Sequence, residues 1–417
     1  MLDRIKQNKF LKSISILVSG SLLAQLITVL TAPIMTRLFS AESIGIYTYI
    51  TTVAFLLLPV INGRYELAIV TEKDKNKVFA LVKLCAYICL LLVLLFSVGL
   101  ASYSFCYDKF VEYREYFIIV PFLLLISGYI NIVTSYNNRF AKYKLMSTVA
   151  IARAVVMCML VIVFGIFGYG VWGLLLAALI SNLASLKKQS EDLLEDINEI
   201  FKTSYIKIKQ VAIEYKSFLI FSVPAAFMNS FAFSAVNFCI EDLYGLAALG
   251  YYSLSFRILG VPLSLISTNV SKVFFEQASK EYNETGCFIN AFGKCTKYLV
   301  LMAVPITLGI YYLSPWACKI FFGEEWIVAG EYIQLLAIMF GVRFIVSPLS
   351  VGVLVTRKNY LEVIGQAMLF VTLIGVYFYC LFNNCDIHQF LLYYSVVNAA
   401  VYASWLVYIY YLARGNI

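Results

Sequence analysis

Long uninterrupted apolar runs are the feature of this 417-residue sequence that most restricts its fold. A helix needs about 20 apolar residues to cross a bilayer, and only helices and closed barrels satisfy their backbone groups inside lipid. The short alternating segments typical of a barrel do not occur in the sequence. The sequence therefore predicts an all-α polytopic membrane protein with twelve transmembrane helices. The predicted spans are 14–35, 44–61, 78–101, 117–135, 145–167, 169–186, 218–240, 246–273, 298–314, 326–349, 363–382 and 390–412.

Composition supports this class and excludes others. Hydrophobic residues make up 62% of the chain and charged residues 13%, whereas ordinary soluble domains carry about 25% charge. This balance excludes a soluble enzyme, a nucleic-acid-binding protein and a disordered chain. The net charge of +8 does not change that conclusion, because the basic residues lie in short loops rather than on one soluble face.

The residue types that usually hold metals show no pattern here. His388 is the only histidine, and the ten cysteines form no CxxC pair, so neither a metal nor a cofactor is expected. Most of the cysteines are interpreted as small apolar packing residues. Cys106, Cys318 and Cys385 would face the external side in the topology given below, which leaves a disulfide there open.

Positive charge is distributed very unequally between the two sides of the predicted spans. Of the 32 Lys and Arg residues, 24 fall in loops on one side, four in loops on the other side and four inside spans. Loops rich in Lys and Arg stay in the cytoplasm. Both termini are therefore predicted to be cytoplasmic.

An internal repeat divides the chain near its midpoint. Six positions match similar residues 205 positions later, namely Leu38-Phe39, Ile44-Gly45 and Tyr47-Thr48 with Leu243-Tyr244, Leu249-Gly250 and Tyr252-Ser253. Each half holds six spans, so the two repeats run parallel. We therefore expect two six-helix lobes around a central cavity, at 1–186 and 217–417. The cytoplasmic linker at 187–216 is interpreted as an amphipathic surface helix that tethers the lobes, or as a solvated segment without a gating role.

Three arginines lie deep inside predicted spans: Arg153, Arg257 and Arg343. An arginine near the bilayer centre costs at least about 2.5–3.5 kcal/mol, so it normally faces a protein interior or a water-filled cavity. All 24 acidic residues lie in loops or at span ends in this topology, so no buried carboxylate is expected as a partner. Guanidinium groups bind phosphate through paired hydrogen bonds, which makes an anionic substrate a candidate partner. The alternative is that these side chains reach an interface or bond backbone carbonyls.

The first two predicted helices resemble a known family. The residues that carry the resemblance are Gln25, Pro33, Thr36-Arg37-Leu38-Phe39-Ser40, Gly45-Ile46-Tyr47 and Arg64-Tyr65-Glu66-Leu67-Ala68-Ile69. They resemble polysaccharide-unit flippases of the Wzx type, in the superfamily of multidrug, oligosaccharidyl-lipid and polysaccharide exporters. The matching motifs cover roughly residues 20–70, and the span count and midpoint repeat extend the likeness to the whole chain.

The resemblance implies a function in the bacterial inner membrane. An undecaprenyl-pyrophosphate-linked oligosaccharide repeat unit, as in O-antigen synthesis, would move from the cytoplasmic to the periplasmic leaflet by alternating access. Arg153, Arg257 and Arg343 would meet the pyrophosphate. The protein would not be an enzyme. Its expected partners are this substrate, membrane lipids, and the polymerase and chain-length regulator of the same pathway.

Arg37, Arg64 and Glu66 are candidate gating residues. Arg37 is most simply an anchor at the external interface. Arg64 and Glu66 are two residues apart, and at that spacing two side chains do not share one helix face. We therefore expect that they do not pair directly and that they form an element at the cytoplasmic edge of the second span.

Three other functions stay open at the level of the sequence. Drug or cation efflux within the same superfamily would need a carboxylate buried in a lobe, which the sequence does not indicate. An O-antigen-type polymerase would typically carry a sizeable external loop, and the longest one here, at 102–116, is too short to fold alone. A plain membrane scaffold would leave the intramembrane arginines without a purpose.

Overall fold

The structure of the protein, a computed structural model, describes residues 2–106, 113–356, 358 and 360–415. These residues form sixteen α-helices, and no strand occurs among them. The helices of the first half are α1 (Leu2–Leu38), α2 (Ala41–Leu57), α3 (Glu66–Thr71), α4 (Lys75–Cys106), α5 (Ile119–Arg139), α6 (Tyr143–Ile166), α7 (Gly170–Leu183), α8 (Leu186–Glu195), α9 (Ile197–Lys202) and α10 (Tyr205–Glu214). The helices of the second half are α11 (Val223–Thr285), α12 (Ile289–Phe322), α13 (Ile327–Leu349), α14 (Gly352–Val355), α15 (Tyr360–Asn383) and α16 (Ile387–Ala413).

The helices account for the predicted membrane spans. Within the described residues, ten helical segments are long and apolar enough to cross a bilayer, and α2 adds a shorter apolar helix of 17 residues. α11 supplies two spans, because Gly245 interrupts it with φ 81° and ψ −179°. Glycine suits this position because other residues would be strained at that positive φ. The chain is thus an all-α polytopic membrane protein with twelve transmembrane helices, and this prediction is confirmed.

Several helix ends differ from the predicted ones, and three of them show why. The second span ends at Leu57 rather than at residue 61, because the chain turns through residues 58–65 before α3. α11 continues twelve residues beyond the predicted end at 273, and α12 begins nine residues before the predicted start at 298. Hydropathy limits a predicted span to its apolar residues, whereas a helix can continue into water beyond the membrane.

The chain packs into two compact units. The first contains Met1–Phe39 and Ile46–Ser234, and the second contains Ser40–Gly45 and Ala235–Ile417. The first unit includes the linker helices α8, α9 and α10 together with the beginning of α11. The lobe bounds at 186 and 217, the parallel repeat and the central cavity stay predictions.

The linker forms three short helices instead of one. Asp196 separates α8 from α9, and residues 203–204 separate α9 from α10. Leu193, Ile200, Ile208 and Val211 are each 5% exposed or less and belong to one hydrophobic cluster with residues of α3, α4 and α5. The linker is therefore docked on the first unit, and the interpretation as a solvated segment is wrong.

Candidate substrate-binding site

An open cavity of about 480 Å³ lies within the second unit, where α11 and α13 face each other. Two of the three arginines singled out in the sequence, Arg257 and Arg343, both line it. The other lining residues described are Phe256, Gly260, Leu263, Ser264, Ser267 and Ser347. The structure therefore brings together two cations that are 86 residues apart in the chain.

Helical periodicity explains why these residues share one cavity. On α11, the lining residues recur at intervals of three and four, which places them on one face of the helix. On α13, Arg343 and Ser347 are four residues apart and lie on neighbouring turns. A hydrogen bond of 2.9 Å between the hydroxyls of Ser267 and Ser347 joins the two helices at the cavity wall. The two helices thus place both arginine side chains at one cavity.

Both arginines lie deep along their helices. Arg257 is twelve residues beyond Gly245, which corresponds to about 18 Å of helix. Arg343 is sixteen residues beyond Ile327, or about 24 Å of helix. The hydrocarbon core of a bilayer is about 30 Å thick. The cavity therefore lies along the membrane-spanning part of the second unit, away from the helix ends at Gly245 and Ile327.

Aromatic groups surround the Arg343 end of the cavity. The guanidinium of Arg343 lies 5.7 Å from the centre of the Phe340 ring, which is a cation–π arrangement. Three tyrosines, Tyr252, Tyr394 and Tyr402, lie within electrostatic range of the same guanidinium. Arg257 and Arg343 are themselves half-buried. The cavity is therefore a partly desolvated place in which a cation interacts strongly with a bound anion.

The chemistry of the lining favours an anion with several oxygen atoms. Two guanidinium groups and three serine hydroxyls supply hydrogen-bond donors, and none of the described lining residues is acidic. Phosphate groups match this donor set, because each guanidinium can hold two phosphate oxygens in its planar fork. The hydroxyls can also bond a sugar or a bridging oxygen.

Arg153 has different surroundings from the other two arginines. It lies on α6 in the first unit, and its guanidinium donates a hydrogen bond of 2.7 Å to the side-chain oxygen of Gln189 on α8. Gln189 in turn donates to Thr134, and its backbone carbonyl accepts from Asn137. The Nε of Arg153 is buried and makes no hydrogen bond to the described residues. Arg153 is thus partnered by the protein, and its role in substrate binding stays a prediction.

The second predicted span is broken at the candidate gating residues. After α2 ends at Leu57, Gly63 and Arg64 adopt positive φ values of 65° and 63°. The backbone there is held by Asn62, whose side chain donates to the carbonyl of Cys85 in α4 and accepts from Asn131 in α5. The buried side chain of Asn62 in this irregular segment is thus satisfied by two neighbouring helices.

The break brings Arg64 and Glu66 together. Their side chains approach to 3.8 Å between Nη1 and Oε1. The expectation that they do not pair is wrong, because it assumed a continuous helix, and the positive φ of Arg64 turns its side chain toward Glu66. The other carboxylate oxygen of Glu66 and the Nε of Arg64 are buried without a hydrogen bond in the described part of the chain.

The structure also contains carboxylates that the sequence did not indicate as buried. Glu66 is 7% exposed in the first unit, and Glu241 is 6% exposed in the second. Both lie at predicted span ends, which hydropathy assigns to water. The expectation of no buried carboxylate is therefore wrong. Arg37, the third candidate gating residue, is exposed in the last turn of α1.

Ionic contacts fix the linker to the first unit. Asp196 accepts hydrogen bonds from Lys75 at 2.9 Å and from Tyr136 at 2.5 Å. Burial acts to raise the pKa of Asp196, but these two hydrogen bonds outweigh it and lower the pKa. The Tyr215 hydroxyl donates to Glu72, which lowers the pKa of that carboxyl and raises the pKa of Tyr215 to about 12. The docked linker is thus stabilised by ionised carboxylates.

Comparison with known proteins identifies the family. Residues 34–331, well over half of the chain, match the family described as polysaccharide biosynthesis protein. The chain belongs to the polysaccharide biosynthesis protein family. This membership confirms the resemblance to polysaccharide exporters at the level of the family.

Two curated relatives of this family member carry related names. The teichuronic acid biosynthesis protein TuaB of Bacillus subtilis (strain 168) is 27% identical over 135 residues, which are 32% of this chain and 28% of that protein. The succinoglycan biosynthesis transport protein ExoT of Rhizobium meliloti (strain 1021) is 22% identical over 352 residues, or 82% of this chain and 66% of that protein. The matches span less than two thirds of either relative.

A solved structure shares the fold of this polysaccharide biosynthesis protein. The lipid II flippase MurJ, in an inward closed conformation, superimposes with a TM-score of 0.66 at 12% identity. The match covers 95% of this chain and 87% of MurJ. The likeness establishes the fold, a multi-pass helical membrane architecture, and the inner-membrane location stays a prediction.

Sequence reasoning missed several residues of the cavity. Gly260, Ser264, Ser267 and Ser347 line it, and each is small or weakly polar, so none is conspicuous in a span. The available signal is their spacing of three, four, seven or ten residues from an intramembrane arginine. In the first unit, Gln189 was missed in the same way, because it lies in the linker and not in a span.

Proposed function

We propose that this chain is a flippase for lipid-linked oligosaccharides. In this proposal it moves an undecaprenyl-pyrophosphate-linked repeat unit from the cytoplasmic to the periplasmic leaflet of the bacterial inner membrane by alternating access. The observation that carries the proposal is the cavity with two arginines and three serines inside a membrane-spanning unit. Membership of the polysaccharide biosynthesis family supports a saccharide cargo.

Arg257 and Arg343 have the central role in this proposal. Their guanidinium groups bind the pyrophosphate, and the serine hydroxyls around them bond its remaining oxygens or the first sugar. Desolvating a pyrophosphate inside a membrane is costly, and two cations at the cavity offset part of that cost. Arg153 remains a candidate third contact in the first unit. The polyprenyl tail stays in lipid.

The proposed activity is transport and not an enzymatic reaction. The repeat unit leaves the protein with the same covalent bonds with which it arrived. A polymerase and a chain-length regulator of the same pathway are then the partners that consume the product. Membrane lipids surround the protein throughout the cycle.

Cation or drug efflux is a second candidate, and one observation favours it. Glu66 is buried in the first unit with an unpartnered carboxylate oxygen, as coupling to a proton or a metal cation would require. The cavity of the second unit argues against a cationic drug, because both of its charged residues are positive. The buried carboxylate is equally compatible with an ion-coupled flippase.

The proposal is tested in cells whose own copy of the gene is deleted. Arg257→Ala, Arg257→Lys and the wild type are produced at equal levels, and surface polysaccharide is measured. Alanine removes both the charge and the hydrogen bonds, so polymer should fall about 10- to 100-fold, as expected for losing about 1.5–3 kcal/mol of charged hydrogen bonding. Lysine keeps the charge but not the fork, so its defect should be smaller.

Lys280 provides the matched control. It lies on the same helix, α11, but is exposed and outside the cavity. Lys280→Ala should leave polymer unchanged. Unchanged polymer in Arg257→Ala as well would contradict the assigned role, and a gain of sensitivity to cationic drugs on deletion, without a polymer defect, would favour efflux.

A further inference from the structure

The end of α15 places two cysteines in a defined turn. α15 ends at Asn383, and the next residue, Asn384, has a left-handed φ of 49°. The N–H of Cys385 donates to the carbonyl of Cys380 at 3.1 Å. A left-handed residue directly after a helix, with this six-residue backbone hydrogen bond, is a Schellman motif.

The motif brings the two cysteine side chains together. In a Schellman motif, the residue after the left-handed position contacts the side chain three residues before the helix cap. Here these two residues are Cys385 and Cys380, and the thiol of Cys385 is a direct neighbour of the thiol of Cys380. A disulfide needs Cα atoms about 4.4–6.8 Å apart with the side chains directed at each other. The two cysteines are free thiols in this structure, and the turn places them beside each other as such a bond requires.

The two thiols differ in how far they are exposed. Cys380 is 2% exposed, whereas Cys385 is half-buried and lies in the short connection between α15 and α16. The next residue, Asp386, begins α16 with a capping box to Gln389. The strong excess of Lys and Arg on the opposite side predicts that this connection faces the exterior, where disulfides persist.

We propose that Cys380 and Cys385 form a native disulfide that closes the connection between α15 and α16. The reaction is thiol–disulfide exchange, and the oxidant is a disulfide of the external compartment. The accessible Cys385 thiolate attacks the oxidant's disulfide, which forms a mixed disulfide and releases one oxidant thiol. Cys380 then attacks the Cys385 sulfur and releases the second oxidant thiol. The chain loses two electrons and two protons, which the oxidant gains.

The disulfide holds the end of one helix against the start of the next. It makes permanent the turn that the Schellman motif and the capping box already favour. It also removes the more accessible thiol from reactions with other oxidants. The inference is independent of the proposed cargo, because it rests on the turn and on the predicted orientation.

The test counts free thiols in the full-length protein in its own membrane. Membranes are quenched in acid, the protein is denatured, and maleimide mass tags are attached with or without prior reduction. Reduction should add two tags to the wild type and none to Cys385→Ser or to Cys380→Ser. Cys318→Ser should still gain two tags, because Cys318 is a buried cysteine outside the pair. Mass spectrometry of the unreduced peptide should show the loss of two hydrogen atoms.

Two results would overturn the proposal. One is that all ten cysteines of the wild type react without reduction. The other is that reduction still adds two tags to both Cys380→Ser and Cys385→Ser, because the bond would then join other cysteines. Serine is close in size to cysteine, and Cys380→Ala provides a second variant if the buried serine impairs folding.

Discussion

The arginines of the two units differ in what surrounds them. In the first unit, Arg153 donates to Gln189, which is itself held by Thr134 and Asn137. In the second unit, Arg257 and Arg343 line an open cavity with serines. All three are intramembrane arginines in the sequence, and the second-unit pair lines a space that a ligand can enter.

This difference shows that a charge inside a membrane is not by itself a binding site. A guanidinium that donates into an amide network, as Arg153 does to Gln189, can serve to hold helices together. A guanidinium beside open space, with donors around it, has the geometry of a receptor for an anion. The second unit therefore carries the stronger assignment, and the following predictions are designed to break or sharpen that contrast.

The largest effect is expected from charge reversal in the cavity. Arg343→Glu would place a carboxylate beside the proposed pyrophosphate, so surface polysaccharide should fall at least about 100-fold in the deletion strain. Arg153→Gln should lower polymer much less at matched protein levels, because it leaves the cavity intact. Equal losses in both variants would break the contrast and support the predicted substrate role of Arg153.

A stability effect is expected in the first unit. Gln189→Leu removes the acceptor of Arg153 and leaves a partly buried charge unpaired, which should lower the unfolding free energy by about 1–3 kcal/mol. Adding Arg153→Met should restore part of that loss, because both polar partners are then replaced by apolar groups. Thermal unfolding of the purified protein in detergent measures both values. If the single and double variants unfold at the same temperature, the pair is not a structural contact.

A smaller effect is expected from filling the cavity without touching a charge. A Cβ at Gly260 would have no atom within 4 Å, so Gly260→Leu should fit and occupy part of the cavity. Polymer should fall several-fold, while thermal stability should be unchanged or higher because glycine is a poor helix former. Gly375→Leu is the matched control, since Gly375 also has open space but lies on α15. Full polymer in Gly260→Leu would argue against this cavity as the cargo site.

The smallest effect concerns the pH dependence of linker docking. The pKa values of Glu72 and Asp196 are lowered in the folded protein. Their contribution to the stability of the docked linker is therefore complete above the ordinary carboxyl pKa of about 4. It is lost as pH falls through the lowered pKa values. The pKa of Tyr215 is raised to about 12. Its hydrogen bond therefore stabilises the docked linker fully below about pH 10, and this stabilisation is lost as pH rises through 12. The protection of α10 amides, taken relative to their intrinsic exchange rate at each pH, should therefore be constant from neutral to mildly acidic pH and decrease below about pH 4.

Tyr215→Phe sharpens the pH experiment. It removes the hydrogen bond that lowers the pKa of Glu72, so the loss of docking in acid should become smaller and end at a higher pH, and the loss in alkali should weaken. Lys202→Ala is a control, because the Lys202 ion pair with Glu199 lies within one linker helix. If the protection of α10 amides falls steadily as pH is lowered from neutral, the assignment of these carboxylates is contradicted.

Much of the fold could be predicted from the sequence because the bilayer imposes a simple rule. Spans are long apolar runs, and the depth of Arg257 follows from counting residues along one helix. The break after Leu57 could not be predicted in this way, because residues 58–61 are apolar and hydropathy does not register a turn. The buried state of Glu66 was missed for the same reason, since it depends on that break.

The candidate site was only half predictable. Each arginine was visible by its charge, but the meeting of Arg257 and Arg343 depends on packing between α11 and α13, which no local pattern encodes. The contact of Arg153 with Gln189 depends on how α8 docks, and the linker was interpreted as a single helix. Long-range packing, and not local chemistry, is what the sequence left open.

The most direct test of the central claim is ligand binding by the purified protein in lipid nanodiscs. Undecaprenyl pyrophosphate is titrated against the wild type, Arg257→Ala, Arg343→Ala and Lys280→Ala, and binding is followed by calorimetry. We predict affinities about 10- to 100-fold weaker for the two cavity variants and an unchanged affinity for Lys280→Ala. Equal affinities for all four proteins would contradict the assignment of the two arginines to the pyrophosphate.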